Sequence, residues 1–288
     1  MEMKNFYYKI LEKISTKILP WIDKCANFYW HNDPLTSLPI ADKRKYIELS
    51  KNAEINSYSI NEIDKFENET GFYVDKTWLT QLGSQTQVVI KKSPLNYAHG
   101  RILYSSLRNY LHNQGQDLKK INIVETGTAR GFSSICMAKA LSESNFEGNI
   151  CTIDVLPHNI KIFWNSITDH THGRLTRNEL LRDWSYLVER YIFYVQGKSK
   201  QILPKINFSR VHFAFLDGAH AFDDVMFEFN NISKLQIKGD IVVFDDYNTS
   251  DFPGVVKTVE YIENNLDYSI RKILNPSNSR GYVIASKL

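Results

Sequence analysis

The chain changes its hydrophobic rhythm near residue 93. From Met1 to Ser93 apolar residues recur at helical spacing, as in Phe6, Ile10, Ile14, Ile18 and Trp21, and turn signals fall at His31–Pro34 and Asn68–Gly71. This pattern predicts a helical, polar-rich N-terminal subdomain over residues 1–93, opened by an amphipathic helix. A further helix over Tyr97–Leu111 carries Ile102, Leu103, Leu107 and Leu111 on one face. Beyond it, short apolar runs alternate with helical patterns, the mark of repeated strand–helix–strand units. Seven runs read as strands: Asn122–Glu125, Asn149–Asp154, Ile192–Val195, Val211–Leu216, Ile241–Phe244, a weak one near Tyr268–Ile270, and Gly281–Ala285. The expectation is an α/β fold, a doubly wound and mostly parallel seven-stranded sheet over residues 94–288. Residues 158–190 are too long for an ordinary connection of ~2–6 residues, so they read as an insertion near the site mouth, with Arg174–Tyr191 as an extra helix.

Composition narrows the function. Lys and Arg total 35 against 32 Asp and Glu, a net +3, and the charges are interspersed without a basic stripe, so a nucleic-acid partner is not expected. Hydrophobic content of 43% supports a sizeable core and argues against disorder. Three cysteines, Cys25, Cys136 and Cys151, are odd in number and lack paired spacing, which predicts free thiols in a reducing, cytoplasmic setting. Lys4, Lys9, Glu12, Lys13 and Lys17 interrupt the first 22 residues, so neither a signal peptide nor a membrane anchor is expected. Membrane-surface binding of that helix stays a minor alternative, and its apolar face makes a homodimer plausible.

In parallel α/β sheets ligands bind beyond the carboxyl ends of the strands. The first strand runs into Glu125-Thr126-Gly127-Thr128-Ala129-Arg130-Gly131-Phe132-Ser133-Ser134, a glycine-bearing turn before a helix N-terminus. The second ends in Asp154, where a nucleotide-binding fold places a carboxylate for ribose hydroxyls. The third leads to Gly197, Ser199 and the run Ile202-Leu203-Pro204, with helix capping as the commoner use of such a serine. The fourth and fifth deliver Asp217, followed by His220, and the pair Asp245-Asp246. On neighbouring strands ~4.8 Å apart these carboxylates repel one another unless a cation compensates them. All-oxygen ligation suits Mg²⁺, Mn²⁺ or Ca²⁺. His170 and His172, two apart in a polar stretch, read as solvent-exposed, and no phosphate cradle with a Lys-Ser/Thr pair is present.

These features resemble the class I S-adenosylmethionine-dependent methyltransferases, and among them the metal-dependent catechol O-methyltransferase group and related enzymes of sugars and natural products. The resemblance spans roughly His99 to Leu288 and rests on Glu125, Gly127, Gly131, Phe132 and Ser133 in an E-x-G-x-x-x-G-[FY]-S turn. It implies S-adenosylmethionine as cofactor, held by Glu125, Gly127, Thr128, Gly131, Ser133, Asp154, Gly197, Ser199 and Asp217. It also implies a divalent metal on Asp217, Asp245 and Asp246, where the third ligand of the group is commonly Asn, and His220 in the place of its general base, a Lys. An imidazole is a competent base near neutral pH. The implied reaction is methyl transfer to a hydroxyl of a small molecule, sugar or glycan. Trp164, Trp184 and Tyr186 are core or ring-stacking candidates, and Tyr97, His99 and Arg101 are candidates for the pocket. Three alternatives stand beside this reading. A non-catalytic cofactor-binding module would have lost the glycines or carboxylates, which are present. A nicotinamide oxidoreductase would not need carboxylates on strands four and five. A hydroxylase would need two His and one carboxylate, of which Asp217 and His220 supply part.

Overall fold

In the computed structural model, residues 42–91, 94–114, 118, 120–274 and 280–288 are described. The predicted helix over Phe6–Trp21, the turn at His31–Pro34 and Cys25 lie outside them. The rest of the expected N-terminal subdomain is helical: α1 (Lys43–Tyr58), α2 (Asn61–Thr70) and α3 (Lys76–Thr86) precede α4 (Ala98–His112). Local chemistry sets their ends. The Asp42 and Asp75 carboxylates accept from Lys45 and Trp78 backbone N–H groups at the starts of α1 and α3, and α2 ends at Gly71 in the left-handed region.

All seven predicted strands form: β1 (Lys120–Thr126), β2 (Glu147–Asp154), β3 (Ile192–Gln196), β4 (Phe213–Leu216), β5 (Ile241–Tyr247), β6 (Tyr268–Leu274) and β7 (Gly281–Lys287). Their order is β3-β2-β1-β4-β5-β7-β6, with β7 antiparallel to both neighbours. The fold is therefore the expected doubly wound, mostly parallel sheet, and its chain order reverses between β1 and β4.

Period-two alternation puts two apolar layers on the sheet. Ile121, Ile123, Phe213, Phe215 and Val243 face one core together with α4 and α5 (Phe132–Glu143), and the N-terminal helices cover α4. Val124, Ala214, Leu216, Val242 and Phe244 face the other, under α10 (Phe222–Ser233) and α11 (Pro253–Asn265). Cys136 and Cys151 are free and buried. Among the described residues, no helix is long and apolar enough to cross a membrane.

The segment between β2 and β3 departs from expectation. In place of one helix over Arg174–Tyr191 there are α6 (Asp169–His172), α7 (Arg177–Leu180), a 3-10 turn (Arg182–Trp184) and α8 (Ser185–Tyr191). Thr176 explains one break: its side chain accepts from the Glu179 backbone while Glu179 reaches back to the Thr176 N–H, a capping box that starts a new helix there. Trp164 and Trp184 are core residues and Tyr186 is exposed. α9 (Ser199–Ile202) follows β3.

Candidate active site

The reversal of strand order opens a crevice at the carboxyl ends of β1 and β4, and the loops after β1, β2, β3, β4 and β5 converge there. Gly127 shows why the first turn needs glycine: its φ is +91°, and a Cβ would sit 2.3 Å from the Asp217 carbonyl oxygen. The turn can thus lie directly against the end of β4. Gly131, also at positive φ, opens α5.

Two cavities meet at this crevice. One, of about 530 Å³, is lined by Asp154, Gly197, Ser199, Asp217, His220 and Glu228 among others. The other, of about 570 Å³, includes Thr128, Ser133, Asp217, Asp246, His99 and Arg280 in its wall. Gly127, Ala129 and Asp217 belong to both. Most of the residues expected to hold the cofactor therefore converge. Glu125 and Gly131 line neither cavity: Glu125 is fully buried beneath the turn, where its carboxylate accepts from the Ser133 and Ser134 hydroxyls and so ties β1 to the first turn of α5. Burial pushes its carboxyl above the ordinary value. Asp154 takes backbone N–H donors on both oxygens, from Ala129 at 2.6 Å and Leu156 at 2.7 Å, which fixes the carboxylate at the cavity wall. Of the other candidates, His99 reaches the cavity, whereas Arg101 is tied to Asp64 and Glu67 and, like Tyr97, lies outside it. His99 is buried against Phe132 and Phe215, and burial pushes its imidazole down to about 4, so it is neutral. His170 and His172 are exposed.

The aspartates divide. Asp217, His220 and Asp246 each present a ligand atom within 4.8 Å of the others. Asp245 turns away from them and forms a two-point pair with Arg280, at 2.5 Å to Nη2 and 3.1 Å to Nε. The expected set Asp217, Asp245 and Asp246 is thus one neighbourhood but not one cluster. A shift in the β5–β7 register between Phe244 and Tyr247, with Asp246 at φ +55°, swings consecutive residues to different sides. Burial alone would push Asp245 up, but the Arg280 guanidinium outweighs it and holds the carboxyl below the usual range. Asp217 goes the other way, raised well above the ordinary value by burial and then by the charges of Asp245 and Asp246. His220 Nε2 lies 3.2 Å from the Asp246 carboxylate, and its ring rests on Phe252 with centroids 4.3 Å apart.

Arg280, Glu228 and Lys91 escaped the sequence reading. Arg280 precedes the last strand and becomes a site residue only because β7 lies beside β5. Glu228 sits on α10, where its buried carboxylate accepts from Thr126 Oγ1 at 2.9 Å, and Lys91 lines the second cavity. None of them sits at the end of a predicted parallel strand, the only signal that sequence offers for a site.

A glycine turn before a helix, a carboxylate ending β2 and two cavities meeting at the β4 end are the features that the resemblance to the class I S-adenosylmethionine-dependent methyltransferases implied. Residues 124–247 match the family described as a methyltransferase domain. Among solved structures, the chain is similar to the O-methyltransferase TomG from Streptomyces achromogenes, involved in tomaymycin synthesis and solved with its cofactor (18% identity, TM-score 0.51, covering 79% of this chain and 96% of that one). It is also similar to cofactor-bound Rv0187 from MTB (16% identity, TM-score 0.50, covering 73% and 88%). At these identities the likeness is one of fold. No curated protein matches the sequence.

Proposed function

We propose that the protein transfers the methyl group of S-adenosylmethionine to a hydroxyl of a small polar acceptor, such as a sugar or another hydroxylated small molecule, with the help of a divalent cation. The observation that carries this reading is the meeting of two cavities over Gly127, Ala129 and Asp217. In-line displacement needs donor and acceptor on opposite sides of the transferred carbon, and two cavities with a shared wall hold them that way.

The cavity between Asp154 and Gly197 would take the adenosine, with Asp154 facing the ribose and the Gly127–Ser133 turn facing the methionine arm. The acceptor would enter the cavity bounded by His99, Asp246 and Arg280. His220 stands at the junction, its Nε2–H donating to Asp246 and its ring resting on Phe252, and would take the hydroxyl proton at Nδ1. The acceptor C–O–CH₃ linkage forms as the sulfonium S–CH₃ bond breaks, leaving S-adenosylhomocysteine. The donor set fits a hard cation: Asp217 and Asp246 offer oxygens around a raised, incompletely compensated carboxyl, and Asp245 would support them through Arg280. A bound Mg²⁺, or Mn²⁺ or Ca²⁺, would supply positive charge that stabilises the developing alkoxide. A second reading follows from the Arg280–Asp245 pair, in which the guanidinium provides that charge and no metal is needed. The buried free thiols support a cytoplasmic setting, and we place the protein there without nucleic-acid or membrane partners.

Calorimetric titration with S-adenosylhomocysteine, with NAD⁺ as control, tests the cofactor, and micromolar binding of the first alone is expected. Binding of NAD⁺ alone would overturn the reading. A hydroxyl-acceptor panel run with Mg²⁺ and with EDTA then separates the metal-assisted reaction, silenced by EDTA, from the Arg280 variant, which EDTA leaves intact.

A further inference from the structure

We infer that Arg177, which lines neither cavity, is a positioning residue for cofactor binding, and that the segment between β2 and β3 serves to hold the cofactor turn in shape. This inference rests on the methyltransferase reading of that turn.

Three consecutive turn residues are each seated by this segment. Arg177 Nε donates to the Ala129 carbonyl at 3.0 Å. Arg130 Nε donates to the Trp164 carbonyl at 2.6 Å. Leu181 Cδ1 lies 2.7 Å from where a Cβ on Gly131 would be, so the segment closes on the glycine itself. Part of the segment expected as an insertion near the site mouth packs against the turn.

Ala129 is where the clamp matters. Its φ is +45°, in the left-handed region that a residue with a Cβ adopts only at a cost. Asp154 holds its N–H at 2.6 Å and Arg177 holds its carbonyl, so the residue is gripped from both sides. The same grip orients Asp154, the carboxylate proposed to meet the ribose.

Arg177 is an unusual residue to bury. It is 2% exposed, and among the described residues no carboxylate lies within ion-pair distance. Its guanidinium lies against the rings of Tyr194, at 5.2 Å, and Trp164, at 5.5 Å, and Tyr194 stacks on His158 at 4.1 Å. Its Nη2 has no hydrogen-bond partner among the described residues. Burying an arginine without a carboxylate in ion-pair contact costs stability. What the position gains is the Ala129 carbonyl at close range and the attraction of Asp154 and Glu125 at longer range. Both gains lie at the cofactor turn, and preorganising a binding loop raises affinity without adding a contact to the ligand.

The test compares wild type, R177M, R177K, A129G and R177M/A129G by calorimetry with S-adenosylhomocysteine, alongside thermal unfolding. Expected is a folded R177M that binds about tenfold more weakly, with most of the loss recovered in R177M/A129G because glycine adopts the turn unaided. A129G alone is the reference for the double variant, so that the effect of R177M is read separately in each background. A purely structural role for Arg177 would not be rescued by a change at residue 129. The inference is overturned if R177M binds like wild type, or if A129G recovers none of a loss. Should R177M fail to fold, R177K, which keeps the charge and loses the fork, reads the same two outcomes with and without A129G. A wild-type protein that does not bind S-adenosylhomocysteine would instead sink the methyltransferase reading.

Discussion

Strand β5 has an aspartate–arginine pair at each end, and the two differ instructively. At its amino end Asp240 is fully buried, gripped by Arg210 at 2.7 and 3.0 Å, by the Tyr110 hydroxyl at 2.9 Å and by the Ile237 N–H at 2.8 Å. At its carboxyl end Asp245 is equally buried and held by Arg280. The amino end is closed, since both oxygens of the Asp240 carboxylate have partners within the fold. The carboxyl end adds Asp217 and Asp246 beside a cavity, more negative charge than one arginine offsets. A buried carboxylate with a complete set of partners maintains the fold, whereas one left with surplus charge beside a cavity is available for chemistry.

The largest effect should come from the surplus charge. Asp246→Ala removes the group that orients His220, and turnover should fall about 10³-fold while S-adenosylhomocysteine affinity stays near wild type. Equal losses in both would dissolve the distinction between the two ends. Arg210→Met leaves Asp240 buried and uncompensated, so denaturant unfolding should show a loss of about 3–5 kcal/mol that Mg²⁺ does not restore. Arg280→Met should cost less, because Arg280 itself and the neighbouring Asp246 line a cavity that water and cations can reach, and Mg²⁺ should recover part of the melting temperature. A recovery for Arg210→Met, or none for Arg280→Met, would contradict the comparison.

The smallest effect concerns a third kind of buried carboxylate, Glu125, held by the Ser133 and Ser134 hydroxyls with no ion-pair contact among the described residues. Its carboxyl is raised in the folded state, so the folded chain binds the proton more tightly than the unfolded one. The contribution is full below the unfolded value near 4.5 and is lost as pH rises through the folded value, at no more than about 1.4 kcal/mol per pH unit. Glu125→Gln should remove that part of the slope in unfolding experiments at successive pH values. An unchanged slope would show that Glu125 is ionised throughout.

Much of this molecule was legible before its structure. All seven strands lay where apolar runs predicted them, because strand burial is written locally in period-two patterns. The strand-end residues Gly127, Asp154, Gly197, Asp217 and Asp246 reached the crevice because a parallel sheet delivers its carboxyl ends to one side. The 174–191 stretch misled because a helical periodicity does not reveal the capping box at Thr176 that divides it.

What the sequence alone determined is the set of elements and which residues stand at their ends. Tertiary structure alone decided that β7 inserts between β5 and β6, which carries Arg280 to Asp245 and takes that aspartate out of the cluster. It also decided that Glu125 faces α5 and that Arg177 reaches Ala129 across 48 residues. The physical reason is range: burial periodicity and capping act over a few residues, whereas strand order and the partner of a buried charge are settled only when distant segments pack together.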